Sequence, residues 1–212
     1  LASTLTITNP YITIAGQTAP GGGITLKNQA LEIDTSHVII RHFRSRMGPG
    51  TTHDSVLIKS GSNIILDHVS LSWSVDEVLN TWYSPTNITL QWSIASEGLH
   101  CSTHYEGCHS KGLFFGSDGA HSITLHHTLL AHDKNRTPGV KTSGLGTVDV
   151  VNNVVYNWGT SGDGAATFND SNGKIPLNWV NNYLKKGPDS GSFDDLGYFN
   201  SSGLGGILYV DG

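Results

Sequence analysis

The sequence predicts an all-β protein built as a right-handed parallel β-helix, a solenoid whose strands stack coil upon coil. Three observations point there. Helical periodicity is almost absent, and the apolar residues come in short alternating bursts bounded by Gly, Asn, Ser and Pro. One burst recurs: Val38-Ile39-Ile40-Arg41-His42-Phe43, Ile64-Ile65-Leu66-Asp67-His68-Val69, Ile88-Thr89-Leu90-Gln91-Trp92-Ser93, Ile123-Thr124-Leu125-His126-His127-Thr128, Val148-Asp149-Val150-Val151-Asn152-Asn153 and Leu177-Asn178-Trp179-Val180-Asn181-Asn182. Aligned on the polar or aromatic pair, it returns at 41, 67, 91, 126, 152 and 181, in steps of mostly 24 to 29 residues with one of 35. A strand-only repeat of that length reads as a solenoid; propeller blades repeat at about 40 residues or more. Finally, only 14% of the 212 residues are charged and 26 are Gly, the profile of a turn-rich, strand-rich secreted chain with room for one domain.

Taken in order, residues 5–27 read as strand, turn, strand, with Ala15-Gly16-Gln17-Thr18-Ala19-Pro20-Gly21-Gly22-Gly23 as a glycine-rich corner. It is not a phosphate-cradling loop, because no Lys-Ser/Thr follows the glycines and no helix opens there. The six bursts supply successive coils. Residues at one coil position should form ladders along the axis, with Asn152 and Asn181, and His68 and His127, as candidate satisfied polar positions. The long step contains His100-Cys101-Ser102-Thr103-His104-Tyr105-Glu106-Gly107-Cys108-His109 and must bulge from one face. Residues 187–206 read as a loop-like tail covering one end of the stack, within a single domain spanning 1–212.

A net charge of −5 argues against a general nucleic-acid binder, which needs spread-out Lys and Arg. No apolar run approaches the ~20 residues that cross a bilayer, so no membrane span is expected. The opening Leu1-Ala2-Ser3-Thr4 lacks the basic start and apolar core of a signal peptide, as a mature or trimmed secreted chain would. Cys101 and Cys108 read as a disulfide closing a small loop, with zinc ligands or free thiols as the alternatives.

In this acidic chain, Asn135-Arg136-Thr137-Pro138-Gly139-Val140-Lys141 sets two cations five residues apart on a stiff turn after a strand, a local site for an anionic ligand. Together with the corner at 15–23, the strand Asn63-Ile64-Ile65-Leu66-Asp67-His68-Val69-Ser70, Lys111-Gly112-Leu113-Phe114-Phe115-Gly116-Ser117 and Ile123-Thr124-Leu125-His126-His127, this stretch resembles the extracellular pectate and pectin lyase family (polysaccharide lyase family 1 type) from about residue 15 to 158.

The resemblance implies a polygalacturonate (pectate) chain lying in a groove of the β-helix and broken by calcium-dependent β-elimination, giving 4,5-unsaturated oligogalacturonides. It implies Arg136 as the base that removes the C5 proton, with Lys111 and Lys141 clamping substrate carboxylates. The two lysines and calcium are expected to disfavour the charged guanidinium, and an alkaline optimum would follow. Lys141 stands where the family commonly has Arg, so its grip becomes a point-charge contact. The implied calcium ligands are Asp54, Asp76 and Asn80. Asn80 replaces a usual acid, Thr52 stands where some members are acidic, and Glu77 is not expected to substitute because adjacent strand side chains face opposite ways. Asp67 is expected to be structural. Trp73, Trp82 and Trp92 are candidates for stacking on sugar. The resemblance further implies a secreted, extracellular monomer acting on pectin polysaccharide, and a chain that starts without the usual N-terminal cap. Three alternatives are a pectin lyase, disfavoured because no arginine replaces calcium near Asp54 or Asp76, a β-helix that binds acidic polysaccharide without cleaving it, and a hydrolase. The last needs paired carboxylates, and Asp194-Asp195 is the only adjacent aspartate pair.

Overall fold

The computed structural model describes residues 1–50, 53–116, 119–159, 164–190, 196–200 and 206–212. Among the described residues, seven successive coils each contribute one strand to each of three parallel sheets and an eighth adds one to the first and one to the second, giving eight, eight and seven strands in sequence order. The first sheet runs Leu5–Ile7, Leu31–Asp34, Val56–Ser60, Glu77–Asn80, Lys111–Gly116, Gly139–Lys141, Ala166–Asn169 and Gly197–Asn200. Inward positions stack in register, as in Val56, Leu79 and Leu113, and form one core from Leu31 to Trp179. Burying each large aliphatic side chain is worth about 1.5–3 kcal/mol, so the core holds the coils together although, among the described residues, no α-helix covers them.

The corners explain the recurring pair. Between the second and third sheets the chain turns on a single left-handed residue: His42, His68, Trp92, His127, Asn152 and Asn181 have φ between 49° and 55°. Asn and His tolerate this region better than most residues. The preceding register position holds Arg41, Asp67, Gln91, His126, Val151 and Val180. Aligning the Asn pairs of the last two coils with the earlier polar pairs was therefore off by one. Backbone conformation, not the polarity of the pair, fixes the corner. His68 and His127 share that corner without touching, because Trp92 lies between them, 6.4 Å from His68 and 4.1 Å from His127 between ring centroids. Asn152 and Asn181 also share it, while the buried polar ladder is one residue on, where Asn153 Nδ2 donates to Asn182 Oδ1 at 2.9 Å.

The reading of 187–206 as a loop-like tail is corrected at Gly197–Asn200. This strand pairs in parallel with Ala166–Asn169 and extends the first sheet, while Gly206–Asp211 extends the second. Glycine and serine on either side hid the strand-forming pair Tyr198 and Phe199. The long step does bulge: Cys101 and Cys108 are bonded with an S–S distance of 2.08 Å, which removes both sulfurs as zinc ligands. Thr52 and the Asp194-Asp195 pair lie outside the described residues.

Candidate active site

Backbone pairing in the first sheet builds the site. Lys111 N donates to Asp76 O at 3.1 Å, Gly112 N to Asn135 O at 3.0 Å, and Leu113 N to Arg136 O at 2.7 Å. Three consecutive coils thus bring Asp76, Lys111 and Arg136 to one edge. Glycine permits the approach. A Cβ on Gly112 would fall 2.6 Å from Arg136 O, and one on Gly139 would fall 2.8 Å from Arg136 Cγ. Arg136 itself turns the corner with φ 57°.

Its guanidinium lies over the Phe114 ring, 4.4 Å from the centroid, and Nη1 bonds Glu77 Oε1. Phe114 in turn packs against Trp82 at 5.7 Å. A cleft of about 380 Å³ opens here, lined by Asp54, Asp76, Asn80 and Arg136 as well as Trp82 and Tyr83. Lys111 pairs with Glu77 in the sheet register, and burial, then Arg136, lowers its pKa. Lys141 is farther along the edge, paired with Gly116, and does not line the cleft.

Glu77 is the residue that sequence reasoning excluded, and the structure overturns the reason given. Asp76 precedes the strand Glu77–Asn80, so strand alternation does not separate it from Glu77. Val78 and Leu79 both enter the core, leaving Glu77 and Asn80 to meet Asp54. Asp54 Oδ1 accepts from Glu77 N at 2.9 Å, and Oδ2 from Asn80 Nδ2 at 3.0 Å. Asp54, Asp76 and Glu77 offer oxygens all within 4.8 Å of one another. Burial pushes Asp54 well above its ordinary value, and Glu77 adds to the rise. Burial also raises Glu77, against the opposing pull of Arg136.

This donor set fits a hard divalent cation. Three carboxylates converge, and Asn80 Oδ1, on a residue 6% exposed, has no hydrogen-bond partner among the described residues.

The disulfide loop supplies groups that the motifs did not identify. His109 Nε2 sits 3.1 Å from Asp76 Oδ1 and His104 Nε2 3.6 Å from Asp76 Oδ2. Because His104 Nδ1 accepts from Glu106 N at 3.1 Å, the neutral ring carries its proton on Nε2, facing Asp76. The dense His and Cys run at 100–109 is the available signal, but it points to its histidines only as partners of the cysteines on zinc.

Of the three tryptophans, Trp82 alone lines the cleft. Trp92 belongs to the corner stack, and Trp73 donates from Nε1 to Glu97 Oε2 at 3.2 Å. Asp67 accepts from Arg41 Nε at 2.6 Å, His68 Nδ1 at 2.7 Å and Gln91 Nε2 at 3.1 Å, away from the cleft.

A cleft with converging carboxylates and a neighbouring guanidinium, on the edge of a parallel β-helix, defines a candidate site for a divalent cation and an anionic ligand. In sequence the chain resembles the pectate lyase family. Proteins called "Probable pectate lyase C" from Aspergillus flavus and Neosartorya fischeri are 36% and 37% identical over 187 residues, 87% of this chain. The match spans 41% of each of those proteins, so the chain corresponds to about two-fifths of their length. No family model matches. A solved pectate lyase from Paenibacillus sp. 0602 superposes with a TM-score of 0.54 over 86% of this chain and 65% of its own, at 14% identity, and shares the fold.

Proposed function

We infer that this chain carries the catalytic groove of a calcium-dependent pectate lyase that cleaves polygalacturonate by β-elimination. The observation that carries this is the convergence of Arg136, Lys111 and the Asp54–Asp76–Glu77 carboxylates at one sheet edge. Asp54, Asp76 and Glu77, with Asn80 Oδ1, are the groups that would hold calcium. Bound there, calcium would withdraw charge from a galacturonate carboxylate and so acidify the C5 proton.

Arg136, acting in its neutral form, takes that proton as the C5–H electron pair becomes the C4=C5 bond and the C4–O bond breaks; water protonates the departing C4 oxygen, leaving a 4,5-unsaturated product. Phe114 beneath the guanidinium holds its plane. Lys111 meets a substrate carboxylate, and its half-buried ammonium is lowered by desolvation and by Arg136, so an incoming anion finds it poorly solvated. Trp82 and Tyr83, 40% and 46% exposed, offer faces on which a sugar ring stacks. Lys141 reaches a carboxylate farther along the chain. An acidic cation site supports unesterified pectate over methyl-esterified pectin. The family resemblance supports a secreted protein acting on this polysaccharide as a single chain.

Ultraviolet absorbance of unsaturated ends, followed on polygalacturonate with calcium and with a chelator, tests this. A rise that the chelator abolishes is expected. No rise with calcium at alkaline pH sinks the lyase reading, and leaves a polysaccharide-binding role measurable by affinity electrophoresis.

A further inference from the structure

Glu77 is shared between two jobs. Its carboxylate is 3% exposed, bonds Arg136 Nη1, accepts weakly from Asn80 Nδ2 at 3.5 Å, and lies with Asp54 and Asp76 in the cluster suited to a cation. Among the described residues, Arg136 is the only Lys or Arg in direct salt-bridge contact with this cluster, while His104 and His109 approach Asp76. An arginine whose Nη1 is spent on a buried carboxylate cannot present that nitrogen to a sugar C–H. Glu77 cannot leave for solvent, since burial surrounds it.

We propose that Glu77 is a positioning residue that exchanges Arg136 for calcium: without the metal it locks the guanidinium, and with it the carboxylate turns to the cation and frees Arg136 for substrate. This rests on the calcium reading above. The driving force is the donor set itself. Three crowded carboxylates gain more from a divalent ion than from one guanidinium, and the unsatisfied Asn80 Oδ1 gains a partner at the same time. Glu77 thereby makes calcium a condition for an available base as well as an electrophile.

Phenylglyoxal labelling of arginine, mapped by peptide mass and run without substrate, reads the exchange directly, with Arg41, Arg44 and Arg46 as internal controls. In the intact wild-type chain, Arg136 should label about tenfold faster with calcium than with a chelator, while the controls stay constant. Glu77→Gln should label fast under both conditions and bind calcium about tenfold more weakly by titration calorimetry, in the range seen when a ligand or its support is lost. If wild type binds calcium but Arg136 labels at one rate throughout, the exchange is wrong and the calcium site stands. If wild type binds no calcium, both readings fall. The wild-type comparison decides even if Glu77→Gln does not fold.

Discussion

Buried acids at two different places in the coil, one at the end of a second-sheet strand and the others at the start of first-sheet strands, meet opposite fates. At the corner between the second and third sheets, Asp67 is 4% exposed, yet Gln91, His68 and Arg41 all donate to it. Burial alone would raise its pKa, but those hydrogen bonds hold it below the usual carboxylate range. In the cleft, Asp54 and Glu77 are as deeply buried, but their nearest charged neighbours include each other and Asp76, and burial pushes both upward. The first arrangement is complete within the chain. The second is stable only with help from protons, from Arg136 or from a bound cation, and that is the physical difference between a structural carboxylate and a ligand.

The comparison can be broken most severely at Arg136. Arg136→Lys keeps a charge near Glu77 but removes the guanidinium, and turnover on polygalacturonate should fall about a thousandfold, as for loss of a general base, with the melting temperature little changed. Undiminished turnover would transfer the base role elsewhere.

Asp67→Asn should destabilise the fold by about 2 kcal/mol, because charged donors lose their acceptor. The depressed carboxylate contributes stability above its unfolded value of about 3.9, lost as pH falls through the lower folded value. Denaturant midpoints measured from pH 7 downward should therefore show a gap between wild type and variant that closes in acid.

Asp54→Asn should have the opposite sign in a chelator. A carboxylate with a raised folded pKa costs stability once pH passes its unfolded value, and the cost grows as pH rises toward the folded one, so the variant should be more stable than wild type at pH 8. The new amide can keep the Glu77 N–H bond, and Asn80 can flip to offer its unsatisfied Oδ1. Calcium titration of the same variant should show weakened binding. A variant that melts lower in chelator and binds calcium normally would place Asp54 with Asp67, as structure.

Asn80→Asp, the gentlest change, sharpens the contrast by adding a fourth carboxylate. Calcium affinity should rise several-fold, and the metal-free protein should melt slightly lower at pH 8.

The sequence by itself determined the solenoid, because the strand-length apolar bursts and their 24 to 29 residue returns are properties of a one-dimensional repeat. It also marked Arg136, Lys111, Asp54, Asp76 and Asn80, since a family resemblance travels with local motifs. Only the tertiary structure decided the rest. Which residue turns a corner depends on backbone φ, so Asn152 aligned with His127 and not with His126. Whether Glu77 faces the cleft depends on where its strand begins and on two successive core residues, Val78 and Leu79, which no alternation rule anticipates. That Glu77 holds Arg136, and that the disulfide loop brings His104 and His109 to Asp76, are contacts between different coils or across a bulge. A stacked solenoid makes such neighbours out of residues far apart in the chain, and their chemistry is written in no single stretch of it.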